Sequence, residues 1–159
     1  MNKKALTLIV ELKDVFRQLE NELEDNRETK LNVLPSSWGS KKQKAVLAHF
    51  GGKCPFTGKT SDLEFDHFVP VDWVHCGTYE GNMIPVWSYL NAHKAAKNPL
   101  EYYKDMDGLD GVLEYAAAKH GLTVDEYKEF VTWCSENPRT VSQALEDTRT
   151  SLEMWKATR

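Results

Sequence analysis

Cysteine is scarce in this chain: Cys54, Cys76 and Cys134 are the whole complement, they stand far apart, and no two of them form a CxxC pair. An odd set at such spacing excludes a disulfide framework, fits a reducing compartment, and leaves a zinc ribbon without ligands. Long apolar runs are missing too. The stretch Ala5 to Val10 meets Glu11 at once, too short for a signal peptide or for the roughly 18 residues of a membrane span. A cytoplasmic, soluble protein with no membrane partner is therefore expected. Glycine and proline number only 9 and 6 in 159 residues, and with 41% hydrophobic and 28% charged residues the collagen-like and disordered classes fall away. Nor is there an excess of positive charge. With 20 basic and 24 acidic side chains the net charge is -4, which excludes coating nucleic acid by bulk electrostatics.

What is present is organised in three parts. Residues 1–35 hold an apolar seam at Ala5, Ile9, Leu12, Phe16, Leu19 and Leu23, stepping by 4, 3, 4, 3, 4 as an amphipathic helix does, and an extended connector from Leu31 to Pro35. Residues 110–159 read as a helical extension packed on the core. Gly121 closes one helix, Thr123 with Glu126 caps the next, Asn137 and Pro138 break it, and Thr140 with Gln143 caps a last one. That last seam runs Val141, Leu145, Leu152 and Trp155, with Thr148 in register. Two such seams leave room for a protein partner or for self-association.

The middle part, residues 36–109, is mixed. Ser40 with Gln43 reads as a capping box for a short helix whose inward residues are Val46, Leu47 and Phe50, ended by Gly51 and Gly52. Then the period changes to two, with Leu63, Phe65, Val69 and Val71 on one side of a hairpin interrupted by glycines. A helix starts near Ser88 and runs to about Lys97, where Asn98 and Pro99 stop it and begin another. The fold class expected is α+β. Lys41, Lys42, Lys44, Lys53 and Lys59 occur with no acid from 41 to 59, which is either one small basic face for phosphates or an ordinary solvated helix face.

The chemically informative residues are Asp66-His67 at the end of an apolar strand, then Gly81-Asn82, then Asn91 and Lys94 on the helix that follows. An adjacent Asp and His alone is more often a hydrogen-bonded pair at a strand end. The downstream residues change the balance, because Asp66 and Asn91 each offer a hard oxygen to a divalent cation while His67 stays available as a base. Lys94 lies one turn beyond Asn91, placed for an incoming phosphate.

The run Cys54-Pro-Phe-Thr-Gly58, Asp66-His67-Phe-Val-Pro70, Gly81-Asn82 and Asn91-x-x-Lys94 resembles the HNH endonucleases, whose core is the ββα-metal or His-Me finger fold. The likeness covers residues 53–99. It implies a metal-dependent endonuclease acting on DNA, with Asp66 and Asn91 as metal ligands, His67 as general base, Asn82 bracing the loop that holds His67, and Lys94 on phosphate. Lys41, Lys42, Lys44 and Lys53 would add the basic face. Mg²⁺ is the implied cofactor, Mn²⁺ serving the same oxygen donors. Many members of that family hold the finger with two CxxC pairs and zinc, whereas here Cys54 faces Thr57, so no structural zinc is expected. His93 is the alternative imidazole ligand, although its offset of two from Asn91 turns it to another face. His75 and Cys76 read as loop residues, and His49 and His120 as residues near helix C-termini, where the helix dipole favours them. The rival reading is a catalytically silent finger, or a helical interaction module in which the two seams do the work.

Overall fold

Helical sequence gives way to strand sequence at paired glycines, and the structure follows that change closely. The computed structural model describes residues 38–147 and 149–159. The seam from Ala5 to Leu23, the connector Leu31 to Pro35 and Thr148 lie outside the described residues. Helix α1 spans Ser40–His49, and Gly51 and Gly52 follow with φ of 65° and 70°. The capping box expected at Ser40 does not form. Gly39 is the N-cap and no side chain caps it, because Ser40 is already the first helical residue.

Strands β1 (Leu63–His67) and β2 (Met83–Trp87) pair antiparallel, with Asp66 opposite Ile84 and His67 opposite Met83. Alternation places Glu64 and Asp66 on one side of β1, and Leu63, Phe65 and His67 on the other. Val69 and Val71 were expected on the same hairpin, but the strand stops at His67. Val69 instead gives its N–H to the side chain of Asn82, and Val71–Trp73 forms a 3₁₀ turn. β2 runs without a break into α2 (Ser88–Lys94), which is shorter than expected because Ala95 turns to a φ of 48°. Asn98 then caps α3 (Pro99–Tyr102) by accepting from the Leu100 N–H, as its sequence foretells.

The C-terminal part is α4 (Leu109–His120), α5 (Val124–Glu136), α6 (Val141–Glu146) and α7 (Ser151–Lys156). The expected boxes at Thr123 with Glu126 and at Thr140 with Gln143 both form. The single last helix does not. A third box, Thr150 with Glu153, starts α7 after Asp147 turns extended, so one seam becomes two short helices. Seven α-helices and one two-stranded sheet therefore make an α+β arrangement among the described residues.

All of these helices but α6 share one core with the hairpin, from Val46 through Phe68 and Ile84 to Trp155, while Val141 and Ala144 of α6 pack with Val71 and Val74 in a second, small cluster. A column of rings shows the continuity. Phe56 stacks on Tyr103 at 3.8 Å, Tyr103 lies 6.2 Å from Phe68, Phe68 6.4 Å from Tyr127, Tyr127 6.3 Å from Phe130, and Phe130 5.6 Å from Trp155. Among the described residues no helix is long and apolar enough to cross a membrane.

Two buried imidazoles fasten the long connection between β1 and β2 to the C-terminal helices. His75 gives Nε2–H to the Asn137 carbonyl and accepts at Nδ1 from Ser151 Oγ, 2.9 Å away, which in turn accepts from Arg139. His120 gives Nδ1–H to the Ala116 carbonyl at 2.7 Å and accepts at Nε2 from the Tyr79 hydroxyl at 3.0 Å. The helix dipole expected to account for His120 does not, since a dipole favours the charged ring and burial keeps this one neutral.

Burial pushes both rings down to about 4, below the ordinary range near 6.5. Between those values the unfolded chain takes up protons that the folded chain refuses, so this stability is complete above about 6.5 and is lost as pH falls toward 4. Urea midpoints should therefore drop between about pH 7 and about pH 5, and His120→Gln should flatten that dependence by about one proton while lowering stability overall. An unchanged slope in the variant would contradict the neutral assignment.

Candidate active site

Asp66 is the buried centre of the cluster. Its carboxylate meets Lys94 Nζ at 2.9 and 3.2 Å, and the Tyr103 hydroxyl donates to it at 3.5 Å. Lys94 also donates to the His67 carbonyl at 2.9 Å and is fully buried. Burial pushes the Asp66 carboxyl up and the Lys94 ammonium down, and the attraction between them opposes both shifts. The expectation that Lys94 meets an incoming phosphate is therefore corrected. Leu90 and Lys94 share the inward stripe of α2 one turn apart, so the ammonium faces β1 rather than solvent.

His67 is half-buried at the mouth of the long connection. Its Nε2 lies 2.9 Å from Thr78 Oγ1, a hydrogen bond whose donor is set by the ring's tautomer. Behind it Asn82 is fully buried and clamps the backbone. Its Oδ1 accepts from the Val69 N–H at 2.8 Å, and its Nδ2 donates to the carbonyls of Gly77 at 2.9 Å and Val69 at 3.2 Å. Asn82 also accepts at its own carbonyl from Phe68 N–H, 2.7 Å away. Gly81 just before it has a φ of 96°, and a Cβ there would sit 2.7 Å from that of Lys119, so only glycine brings Asn82 to this place.

Asn91 stands on one flank of α2 and donates from Nδ2 to Glu64 Oε2 at 2.8 Å. Glu64 thus joins Asp66 and Asn91 as an oxygen donor on the same side of the hairpin. Sequence reasoning passed over Glu64 and Thr78. Glu64 was legible, since two residues before Asp66 on a strand is the same face. Thr78 was not, because only the return of the loop brings it to His67. His93 lies on the other flank, bonded through Nδ1 to the Tyr102 hydroxyl at 3.1 Å, which separates it from the Asn91 side.

The donor set is carboxylate and amide oxygen, hard ligands that suit Mg²⁺ or Mn²⁺ better than Zn²⁺. A cation at Asp66 would share the carboxylate with Lys94, using the lone pairs that the ammonium leaves. Among the described residues no group of three or more His, Cys, Asp or Glu side chains converges as a cage. All three cysteines are free thiols in the interior. Of the expected basic face, Lys41, Lys44 and Lys53 are exposed and Lys42 is half-buried. Lys41 and Lys44 lie on the outer side of α1, opposite the buried Val46. No protein-family model, no curated protein and no solved structure matches this chain.

Lys94→Met should leave Asp66 buried without a counter-ion and cost about 3 to 5 kcal/mol. The loss of Lys94 lets the Asp66 carboxyl rise further, so the deficit relative to wild type should be smaller at acid pH, where the carboxyl is protonated, than at alkaline pH. Urea denaturation at the two pH values measures it, and a deficit that does not vary with pH would show that the pair is not charged.

Proposed function

We propose that the chain is a metal-dependent endonuclease of the HNH type that hydrolyses phosphodiester bonds of DNA, with β1, β2 and α2 as its ββα-metal core. The observation that carries the reading is the order of groups along one hairpin and helix. Asp66 and His67 close β1, Asn82 precedes β2 and clamps the backbone beyond His67, and Asn91 rides the helix that follows β2. The resemblance of these residues to the HNH pattern supplies the chemistry.

Asp66 and Asn91, with Glu64 beside them, are the residues that would hold Mg²⁺ or Mn²⁺. When bound, such an ion neutralises charge on the scissile phosphate and on the departing oxygen. His67, oriented through Nε2 by Thr78, takes the proton from water as its oxygen attacks phosphorus in line. The P–O3′ bond breaks as the new P–O bond forms, and the 3′ oxygen leaves as a hydroxyl after gaining a proton from solvent. Asn82 keeps the His67 backbone from drifting, which matters because displacements near 1 Å cost large factors in rate. Lys94 opposes the upward push of burial on the Asp66 carboxyl and pins the His67 carbonyl, acting through those two groups rather than on the substrate.

One observation favours a second reading. The Lys94 ammonium already satisfies Asp66, as it would in a catalytically silent binding module that keeps the hairpin and helix without the metal.

A supercoiled-plasmid assay with Mg²⁺, Mn²⁺ or EDTA separates the two. Cleavage that needs the ion, and that His67→Ala lowers by about 10² to 10⁴ without moving the urea midpoint, supports the endonuclease; undiminished nicking by that variant sinks it. Plasmid binding without cleavage under either ion establishes the silent module. Thr78→Val should reduce kcat and leave substrate affinity near wild type, since it changes how His67 is held and not what is bound. Calorimetry with Mn²⁺ should show weaker binding in Asn91→Ala and in Asp66→Asn, and no change in His93→Ala.

A further inference from the structure

On the flank of α2 turned away from Asn91, Tyr89 and His93 line up with Trp87 at the end of β2 and Tyr102 on α3, making four aromatic rings in a row with an ammonium at each end. Trp87 lies 5.0 Å from Tyr89, Tyr89 stacks on His93 at 5.9 Å with planes 10° apart, and His93 lies 5.9 Å from Tyr102. Lys59 sits 4.3 Å over the Trp87 ring and Lys97 5.4 Å over that of Tyr102. Trp87 and Tyr102, at the two ends of this ridge, are half-buried against the edge of the core, and the middle of the row faces solvent. Tyr89 is 59% exposed, the one large hydrophobic residue so exposed among those described. His93, Lys59 and Lys97 are exposed with it.

We infer that the ridge is a stacking platform for unpaired nucleobases, and hence that the preferred substrate is a nucleic acid with single-stranded or unpaired nucleotides. The substrate half of this inference rests on the endonuclease reading; the binding half does not. A ring whose face reaches solvent, as that of Tyr89 does, accepts any base, because every base has a π-face, and cations at the two ends of the row meet the phosphates that run beside stacked bases. Duplex DNA keeps its bases stacked on one another and offers none to Tyr89. The charge pattern favours a nucleic acid over an apolar protein face, since an ammonium group closes each end of the row and Glu101, the acid on α3, is paired to Lys104 at 3.5 Å. The same helix carries Asn91 on its opposite flank, so a strand held on the ridge is tethered beside the Asp66 cluster.

Fluorescence anisotropy on the full chain in EDTA tests the platform without cleavage. The probes are a labelled oligothymidylate, an abasic phosphodiester strand of equal length, and a blunt duplex. The oligothymidylate should bind tightest and quench tryptophan emission. Tyr89→Ala should weaken that binding roughly 5- to 100-fold, the worth of one stacked base, leave the abasic strand unchanged, and be rescued by Tyr89→Phe. Lys59→Gln and Lys97→Gln should each lower the salt slope by about 0.7. Equal affinity for all three probes, or a Tyr89→Ala that binds the oligothymidylate as wild type does, overturns the platform. Mg²⁺-dependent plasmid cleavage is scored separately. Cleavage without base-dependent binding removes the platform and spares the endonuclease; base-dependent binding without cleavage under any divalent ion does the reverse.

Discussion

The ion pair between Asp66 and Lys94 is the constraint around which the middle of the molecule is arranged. It joins the end of β1 to the last turn of α2, 28 residues apart, and it does so inside the protein. An ion pair taken out of water rarely adds net stability, because desolvation of two charges offsets most of their attraction. Breaking it from one side is costly, however, so the pair dictates geometry: α2 must lie with Leu90 and Lys94 inward, and β1 must end where the Asp66 carboxylate and the His67 carbonyl can both reach the ammonium. Once α2 is set in that rotation, its two flanks are set as well. Asn91 falls beside Glu64 on one, and Tyr89 and His93 fall on the other.

The long connection between the strands depends on a different kind of fastening. It leaves the sheet at His67 and returns at Met83 with little regular structure, so its backbone polar groups need partners from elsewhere. Asn82 supplies three of them from inside, and His75, Tyr79 and the Trp73 carbonyl reach the C-terminal helices. Arg139 closes the arrangement, donating to the Val74 carbonyl at 3.0 Å and to Ser151. The C-terminal helices thus act on the candidate site at one remove: they hold the loop, the loop holds Thr78, and Thr78 meets His67.

Three thiols lie in the interior, and an aromatic column runs through the same core. Cys54 packs near Tyr103, whose ring is stacked between Phe56 and Phe68. Tyr103 also donates to Asp66, and its phenol is kept protonated by burial and by that carboxylate. Core packing and the polar cluster are therefore coupled through a single side chain, with apolar contact on its faces and a hydrogen bond at its tip.

What the sequence determined by itself is whatever needs partners within a few residues. The boxes at Thr123 and Thr140, the Asn98-Pro99 start of α3, the period-two run before Asp66-His67, and the glycine before Asn82 are all local, and all are legible in the chain. Local rules also misled where two of them competed: the seam from Val141 to Trp155 reads as one helix, yet the Thr150 box nearby starts a new one. The tertiary structure alone decided the rest. Whether Lys94 faces phosphate or Asp66 depends on the rotation of α2 against β1, whether Thr78 touches His67 depends on how the loop returns, and whether Tyr89 is core or surface depends on which flank the ion pair leaves outside. Each of those outcomes is a contact between segments distant in sequence, and no spacing along the chain encodes a rotation about a helix axis.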